Sequence, residues 1–88
     1  MRGPVISYVP FDELIASLRA DGLCADADRL HFMIHKVAWT TGSELIGELG
    51  LAMKDVVREH GGSFSHRTRT KVESAFEMVM RVWPDFPT

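Results

Sequence analysis

The stretch WTTGSELIGELGLAMKDVV, residues 39 to 57, predicts the longest helix of this chain and with it an all-α fold. Its apolar residues recur at the spacing of one buried helix face: Leu45, Leu49, Ala52 and Val56. Thr41 and Glu44 match the capping box that opens a helix, and the two glycines after His60 end it. The pattern therefore predicts a helix over about 42–60.

Two glycines lie inside this predicted helix, where each costs roughly 0.5–1 kcal/mol relative to alanine. Ser43, Gly47 and Gly50 fall together on one border of the apolar stripe. A column of small residues lets another backbone approach closely, so we expect close helix packing here, by a helix of this chain or of another. The alternative is a weak point of the helix that faces solvent.

Three further helices follow from the same periodicity, over about 10–21, 24–38 and 66–82. Pro10 suits a first helical turn, Gly22 suits a C-terminal cap, and Pro84 stops the last helix. Residues 1–9 lie outside the helical pattern and read as a short extended arm. We therefore expect a single domain, residues 1–88, built as a compact bundle of about four helices. Its core candidates are Phe11, Leu14, Leu18, Leu30, Ile34, Leu45, Leu49, Val56, Phe76, Val79 and Trp83.

Composition narrows the class of protein. The chain has 88 residues, one cysteine and a formal net charge of −2, so it can form no internal disulfide, and the charge argues against a dedicated nucleic-acid binder. No apolar run approaches the roughly 18 residues of a membrane span, and nothing resembles a signal peptide. We expect a cytoplasmic protein with no membrane partner.

The second predicted helix carries apolar residues on two sides. Phe32 and Trp39 project nearly opposite its main stripe, with His35 beside them. Such a helix is central in its fold, or it is covered by another chain, or it borders a ligand groove. We take Phe32, His35 and Trp39 as the candidate interaction face.

Asp28, His31 and His35 form a candidate metal site. They occupy positions i, i+3 and i+7 of the second helix, so they share one side of it, and two histidines four residues apart can share a transition metal. However, the segment HFMIH lacks the glutamate of the HExxH motif. The alternative is a polar flank in which Asp28 pairs with His31.

A basic run at the start of the fourth helix is a candidate anion-binding or nucleic-acid-binding site; it contains His66, Arg67, Arg69 and Lys71. Cations oppose the dipole at a helix N-terminus, whereas a bound anion would gain from both the free amides and the side chains. The alternative is a later start of the helix, because Thr70 to Glu73 also matches a capping box and would leave the run in a solvated loop.

The segment AWTTGSELIGELGLAM, residues 38 to 53, resembles a segment that recurs in small bacterial helical proteins of unknown function, with a WTTxSELxGELG-like pattern. The resemblance extends from ADRLH at 27–31 to VWP at 82–84. It implies that Trp39, Thr41, Glu44 and the glycines form a structural signature. It implies no catalytic residue, ligand or partner.

These observations predict a non-enzymatic protein-interaction module that uses no cofactor. Cys24 has no histidine close in sequence, and a small bundle offers little room for an active site. The expected partner is a second copy (a homodimer) or another protein, in an accessory, regulatory or immunity-type role. The rival predictions are an anion or nucleic-acid binder through 66–71 and a metal-binding protein.

Overall fold

A computed structural model describes residues 7–39 and 41–87, so most of the predicted N-terminal arm lies outside the described residues. Within them the chain forms α1 (Val9–Ala20), α2 (Cys24–His35), α3 (Gly42–His60) and α4 (His66–Val82), with a 3-10 turn at Gly61–Ser63 between the last two. The described part contains no strand. The predicted all-α bundle of four helices is confirmed.

The helices pack in a closed ring of neighbours. Helix α1 contacts α2 and α4, and α3 contacts the same two helices from the other side. Because short links join the helices in chain order, each helix packs against the one before it and the one after it. One long side of α3 therefore remains outside the ring.

Local signals set the helix ends. At the end of α1, Leu23 N–H donates to Leu18 O and Gly22 N–H donates to Arg19 O, and Gly22 has a φ of +83°. These are the two hydrogen bonds of a Schellman ending, in which one residue adopts left-handed backbone angles that glycine tolerates best. At the start of α3, the Thr41 hydroxyl accepts a hydrogen bond from Glu44 N–H at 3.1 Å.

Helix α2 ends at His35, three residues before the predicted end at 38. The reason is a side-chain hydrogen bond: the Trp39 indole Nε1 donates to Met33 O at 2.6 Å. That carbonyl would accept from the backbone of residue 37 if the helix continued. The indole N–H bonds to this carbonyl instead, and the chain turns back over the end of α2.

The core lies between the four helices, and most of its predicted members are fully buried. On α4, however, the buried face is centred on Ala75 and Val79, and it continues to Thr68, about two turns nearer the start of the helix. Phe76 is therefore only partly buried, as is Ile34 on α2, and Trp83, which was predicted to be in the core, is 45% exposed. The prediction for Trp83 was wrong, because its indole lies at the border of α4 that faces α3.

A polar network joins α1 to α4 inside this packing. Thr68, which is fully buried, donates to Asp21 Oδ2 at 2.6 Å and accepts from the buried Ser17 Oγ at 2.6 Å. Asp21 also accepts from Ser65 N–H at 2.9 Å. These bonds, the Ser65 amide foremost, lower the pKa of Asp21 below its ordinary value.

Candidate functional site

The small-residue flank of α3 receives two aromatic rings from the end of the chain. A side-chain carbon added at Gly47 would lie 3.2 Å from Trp83 Nε1, and one added at Gly50 would lie 2.7 Å from Phe86 Cζ. Trp83 Nε1 also donates to Ser43 O at 2.8 Å. The glycines therefore make room for the two rings and, at Gly50, for Val79 of α4, whose Cγ1 would lie 2.9 Å from the added carbon, so the close packing expected here involves a helix of this chain together with the rings.

We call residues 83–87 the C-terminal segment. Besides its two rings, it is held by Lys54, whose Nζ donates to Pro87 O at 2.7 Å and lies 5.8 Å from the centre of the Phe86 ring. The rings of Phe86 and Phe76 lie 6.3 Å apart between centroids. The segment is thus fixed along α3 by hydrogen bonds at both ends and by ring packing in the middle.

An open groove of about 470 Å³ runs between the C-terminal segment and the outer side of α3. Leu51 is 49% exposed on one wall and Trp83 is 45% exposed on the other. We call this surface the α3 face; it is lined by Glu44, Gly47, Glu48, Leu51, Trp83, Pro84, Asp85, Phe86 and Pro87. Exposed apolar groups that are adjacent on two segments and bordered by charged residues mark a candidate interaction surface.

Charges divide the α3 face into two ends. Glu44, Glu48 and Asp85 line the end near the start of α3. Lys54 and Arg58 lie on α3 beyond Leu51 and line a second small groove beside it. Extended by Lys54 and Arg58, the α3 face has an acidic end, an apolar centre and a basic end.

The basic end is held in place by an ion-pair network. Asp55 accepts from Arg58 Nη2 at 2.7 Å and from Arg29 Nη2, on α2, at 3.2 Å. The two guanidinium groups, Arg29 first, lower the pKa of Asp55 below its ordinary value. The Arg58 side chain nevertheless stays 70% exposed, so its remaining N–H groups face outward.

The predicted interaction face of Phe32, His35 and Trp39 is divided by the early end of α2. His35 and Trp39 line one open cleft near the start of α1, where His35 Nε2 lies 3.3 Å from Asp12 Oδ1. Phe32 is 57% exposed and does not line that cleft. The prediction placed Trp39 on the helix, two turns after Phe32, and the helix does not extend that far.

The residues of the candidate metal site have other neighbours. Asp28 pairs with Arg19 at 2.6 Å rather than with His31. His31 packs against His35, with ring centroids 4.6 Å apart, and His35 lies beside Asp12. Across residues 7–39 and 41–87, no group of three or more histidine, cysteine or acidic side chains is arranged to hold a metal ion.

The basic run occupies the first turns of α4, because Ser65 caps the helix and accepts from Thr68 N–H. The later start at Thr70 is therefore wrong. The anion at this helix N-terminus is Asp21 of the same chain, which accepts from Ser65 N–H. His66 and Arg67 are exposed, Arg69 reaches Gly61 O at 3.4 Å, and Lys71 lies 3.4 Å from Glu13.

The sequence allows the tail after Pro84 to lie back on the bundle through Phe86, and it does so, but sequence reasoning did not predict that the C-terminal segment packs on the small-residue flank of α3. The sequence WPDFP, residues 83 to 87, does carry a signal, since Pro84 stops the helix and the aromatic residues Trp83 and Phe86 stand on either side of it at the spacing of a turn. Phe86 N–H donates to Trp83 O at 2.9 Å and closes that turn. Contacts with α3 make the chain after this turn run back along α3, and α3 lies more than twenty residues earlier in the chain.

Comparison of the chain with protein-family models, with curated proteins and with solved structures finds no match. No helix of the described ranges is long and apolar enough to cross a membrane.

Proposed function

We propose that this protein is a non-enzymatic protein-interaction module that docks an amphipathic helix of another chain on the α3 face. The observation that carries the proposal is the pairing of Leu51 and Trp83, both about half exposed, across one groove. Tryptophan is enriched among the residues that dominate binding energy at protein interfaces. Covering the exposed halves of these two side chains would contribute roughly 1–2 kcal/mol each.

The charges of the α3 face define the chemistry of the docked helix. Basic groups at one end of the partner would pair with Glu44, Glu48 and Asp85. Acidic groups at its other end would pair with Lys54 and Arg58. Exposed charges of this kind contribute more to orientation and to the association rate than to affinity. The partner is therefore a helix with an apolar ridge, a basic end and an acidic end.

The shape of the α3 face fits a helix better than a small molecule. The groove is open and its walls are a helix and an extended segment, whereas small-molecule sites bury most of their ligand. A helix that lies along α3 can contact Leu51, Trp83 and both charged ends at once. The face therefore supports a binding role in which no bond is made or broken.

The proposal includes a cytoplasmic location and an accessory or regulatory role. The single thiol, Cys24, is free and exposed, which is typical of a protein that works in a reducing compartment. A partner could be a second copy of this chain or a different protein with the same helix chemistry.

A peptide titration tests the proposal. We would add a synthetic helical peptide of about five turns, with a leucine ridge, arginines at one end and glutamates at the other, to isotope-labelled protein and follow backbone amide shifts by NMR. We expect shifts concentrated at residues 44–58 and 83–87. Leu51→Glu should abolish them, whereas Phe32→Glu, at an equally exposed apolar residue of α2, should not.

Two results would contradict the proposal. One is the absence of shifts at the α3 face at millimolar peptide, in protein that is monomeric at the concentration used. The other is a set of shifts centred on Phe32, His35 and Trp39 that Leu51→Glu leaves unchanged. A control peptide with its arginines interchanged with its glutamates should bind more weakly if the charged ends orient the partner.

A further inference from the structure

The outer side of α3 is complementary to itself. Glu44 lies seven residues before Leu51 and Arg58 lies seven residues after it. Glu48 and Lys54 lie three residues before and three after the same leucine. An acid on one side of Leu51 is thus matched by a base at the same separation on the other side.

Helix geometry places the outer members of this pattern on one line. Residues seven apart return to nearly the same side of a helix, with a drift of about 20° per heptad. Glu44, Leu51 and Arg58 therefore form a single ridge along the outside of α3. All three side chains are exposed on the helix that the ring of neighbours leaves open on that side.

We infer that the partner of the α3 face is a second copy of this chain, with the two α3 helices packed antiparallel and crossing at Leu51. This inference rests on the proposed function and names its partner. A two-fold axis through the crossing point brings Leu51 onto the partner's Leu51 and brings Glu44 onto the partner's Arg58, twice per dimer. Glu48 and Lys54 lie about 60° to either side of this ridge, so they flank the crossing on opposite edges and do not pair across it.

The charges also exclude the parallel arrangement of the same ridge. A parallel pair would place Glu44 of one chain against Glu44 of the other, and Arg58 against Arg58. Like charges would then repel at both ends. A crossing near 20° would keep the ridges in contact over two heptads, as in other antiparallel helix pairs. The exposed Arg58 guanidinium retains N–H donors for a partner carboxylate beyond the one that contacts Asp55.

The C-terminal segment adds to the surface that a second copy would cover. Trp83 and Leu51 line the same groove, so a helix that contacts the leucine covers the exposed edge of the indole as well. Asp85 lines the acidic end beside Glu44 and strengthens its attraction for the partner's basic end. The crossing thus buries apolar groups at its centre and places opposite charges at its borders.

Charge-reversal variants test the inference. We would measure the molar mass of the full chain by light scattering and sedimentation over micromolar to millimolar concentrations. We expect a dimer for the natural sequence, and we expect Glu44→Arg and Arg58→Glu each to raise the dissociation constant about tenfold or more, because each creates two repulsive contacts per dimer. Glu59→Arg, on the same helix but outside the ridge, is the matched control and should leave the dissociation constant unchanged.

Mixing the two impaired variants gives the decisive result. In a mixed dimer, the side chain introduced by Glu44→Arg faces the side chain introduced by Arg58→Glu in the other variant, and the natural Arg58 of the first faces the natural Glu44 of the second. Equimolar mixing should therefore restore association that neither variant shows alone, and the double variant should restore it too. Circular dichroism melting of each variant checks that the folds are retained.

The outcomes separate this inference from the proposed function. A chain that stays monomeric to millimolar concentration, yet binds the helical peptide at the α3 face, overturns the second-copy inference and leaves the proposed function standing. Mixing that fails to restore association overturns the antiparallel register. A dimer that Leu51→Glu does not weaken, with no peptide binding, refutes the α3 face itself.

Discussion

Replacing Gly50 by alanine is the most direct test of how the C-terminal segment packs on α3. The added carbon would lie 2.7 Å from Phe86 Cζ and 2.9 Å from Val79 Cγ1, which is closer than such contacts normally come. Val79 is fully buried and cannot move aside, and Phe86 would have to withdraw from the flank. Overpacking of this kind costs about 1–3 kcal/mol.

Helix propensity acts in the opposite direction, since alanine in place of glycine within a helix gains roughly 0.5–1 kcal/mol. The two effects leave a net loss of about 1 kcal/mol. In a domain of this size such a loss lowers the melting temperature by about 4–8 °C. Chemical denaturation and thermal melting followed by circular dichroism would both measure it.

Gly47→Ala is the matched control, because the added carbon would lie 3.2 Å from Trp83 Nε1, on a half-exposed ring that can shift. We expect its stability to stay within about 0.5 kcal/mol of the natural sequence. In a Phe86→Ala background, the cost of Gly50→Ala should shrink by about 0.5–1 kcal/mol. A Gly50→Ala protein more stable than the natural one, or a cost that Phe86→Ala leaves unchanged, would refute this account of the flank.

Three further predictions concern polar contacts. Thr68→Val should destabilise the fold by about 1–3 kcal/mol in denaturant titrations, because it leaves the buried Ser17 hydroxyl without its partner, and a second change of Ser17 to alanine should recover part of the loss. The pKa of Asp21 is lower in the folded chain than its ordinary value, so its contribution to stability is present above about pH 4 and is lost as the pH falls through the folded-state pKa; the melting temperature of Asp21→Asn should therefore fall less steeply below that pH. Trp39→Phe should cost about 0.5–1.5 kcal/mol on thermal melting through the lost hydrogen bond to Met33 O, and an unchanged midpoint would count against this end of α2.

The parts of the fold that sequence predicts are those with a local cause. Gly22 predicts the C-terminus of α1, and Thr41 with Glu44 predicts the N-terminus of α3. Each cap is made by hydrogen bonds between residues a few positions apart. The four-helix architecture follows from apolar spacing along each segment. The start of α4 at about residue 66 was predicted, although Ser65 was not identified as its cap and a start at Thr70 was left open as the alternative.

The parts that sequence missed depend on contacts between distant residues. A small-residue column predicts that something lies close to α3, and it does not tell a helix from an aromatic ring. Trp83 was assigned to the core because its spacing from Phe76 and Val79 is helical, yet its indole donates to Ser43 O at the surface. Asp21 fills the N-terminus of α4 from forty-four residues away, which no local pattern of either segment indicates.

The small-residue flank of α3 and the α3 face both depend on how the C-terminal segment packs against α3. Because Gly47 and Gly50 admit the rings of Trp83 and Phe86, the C-terminal segment lies flat along α3 and forms the second wall of the groove. Leu51, one residue after Gly50, then faces outward beside an indole rather than beside water alone. A chain with alanines at both glycines would gain helix propensity and lose the wall on which the docking surface depends. The helix-weakening residues are therefore best understood as the structural basis of the proposed binding face.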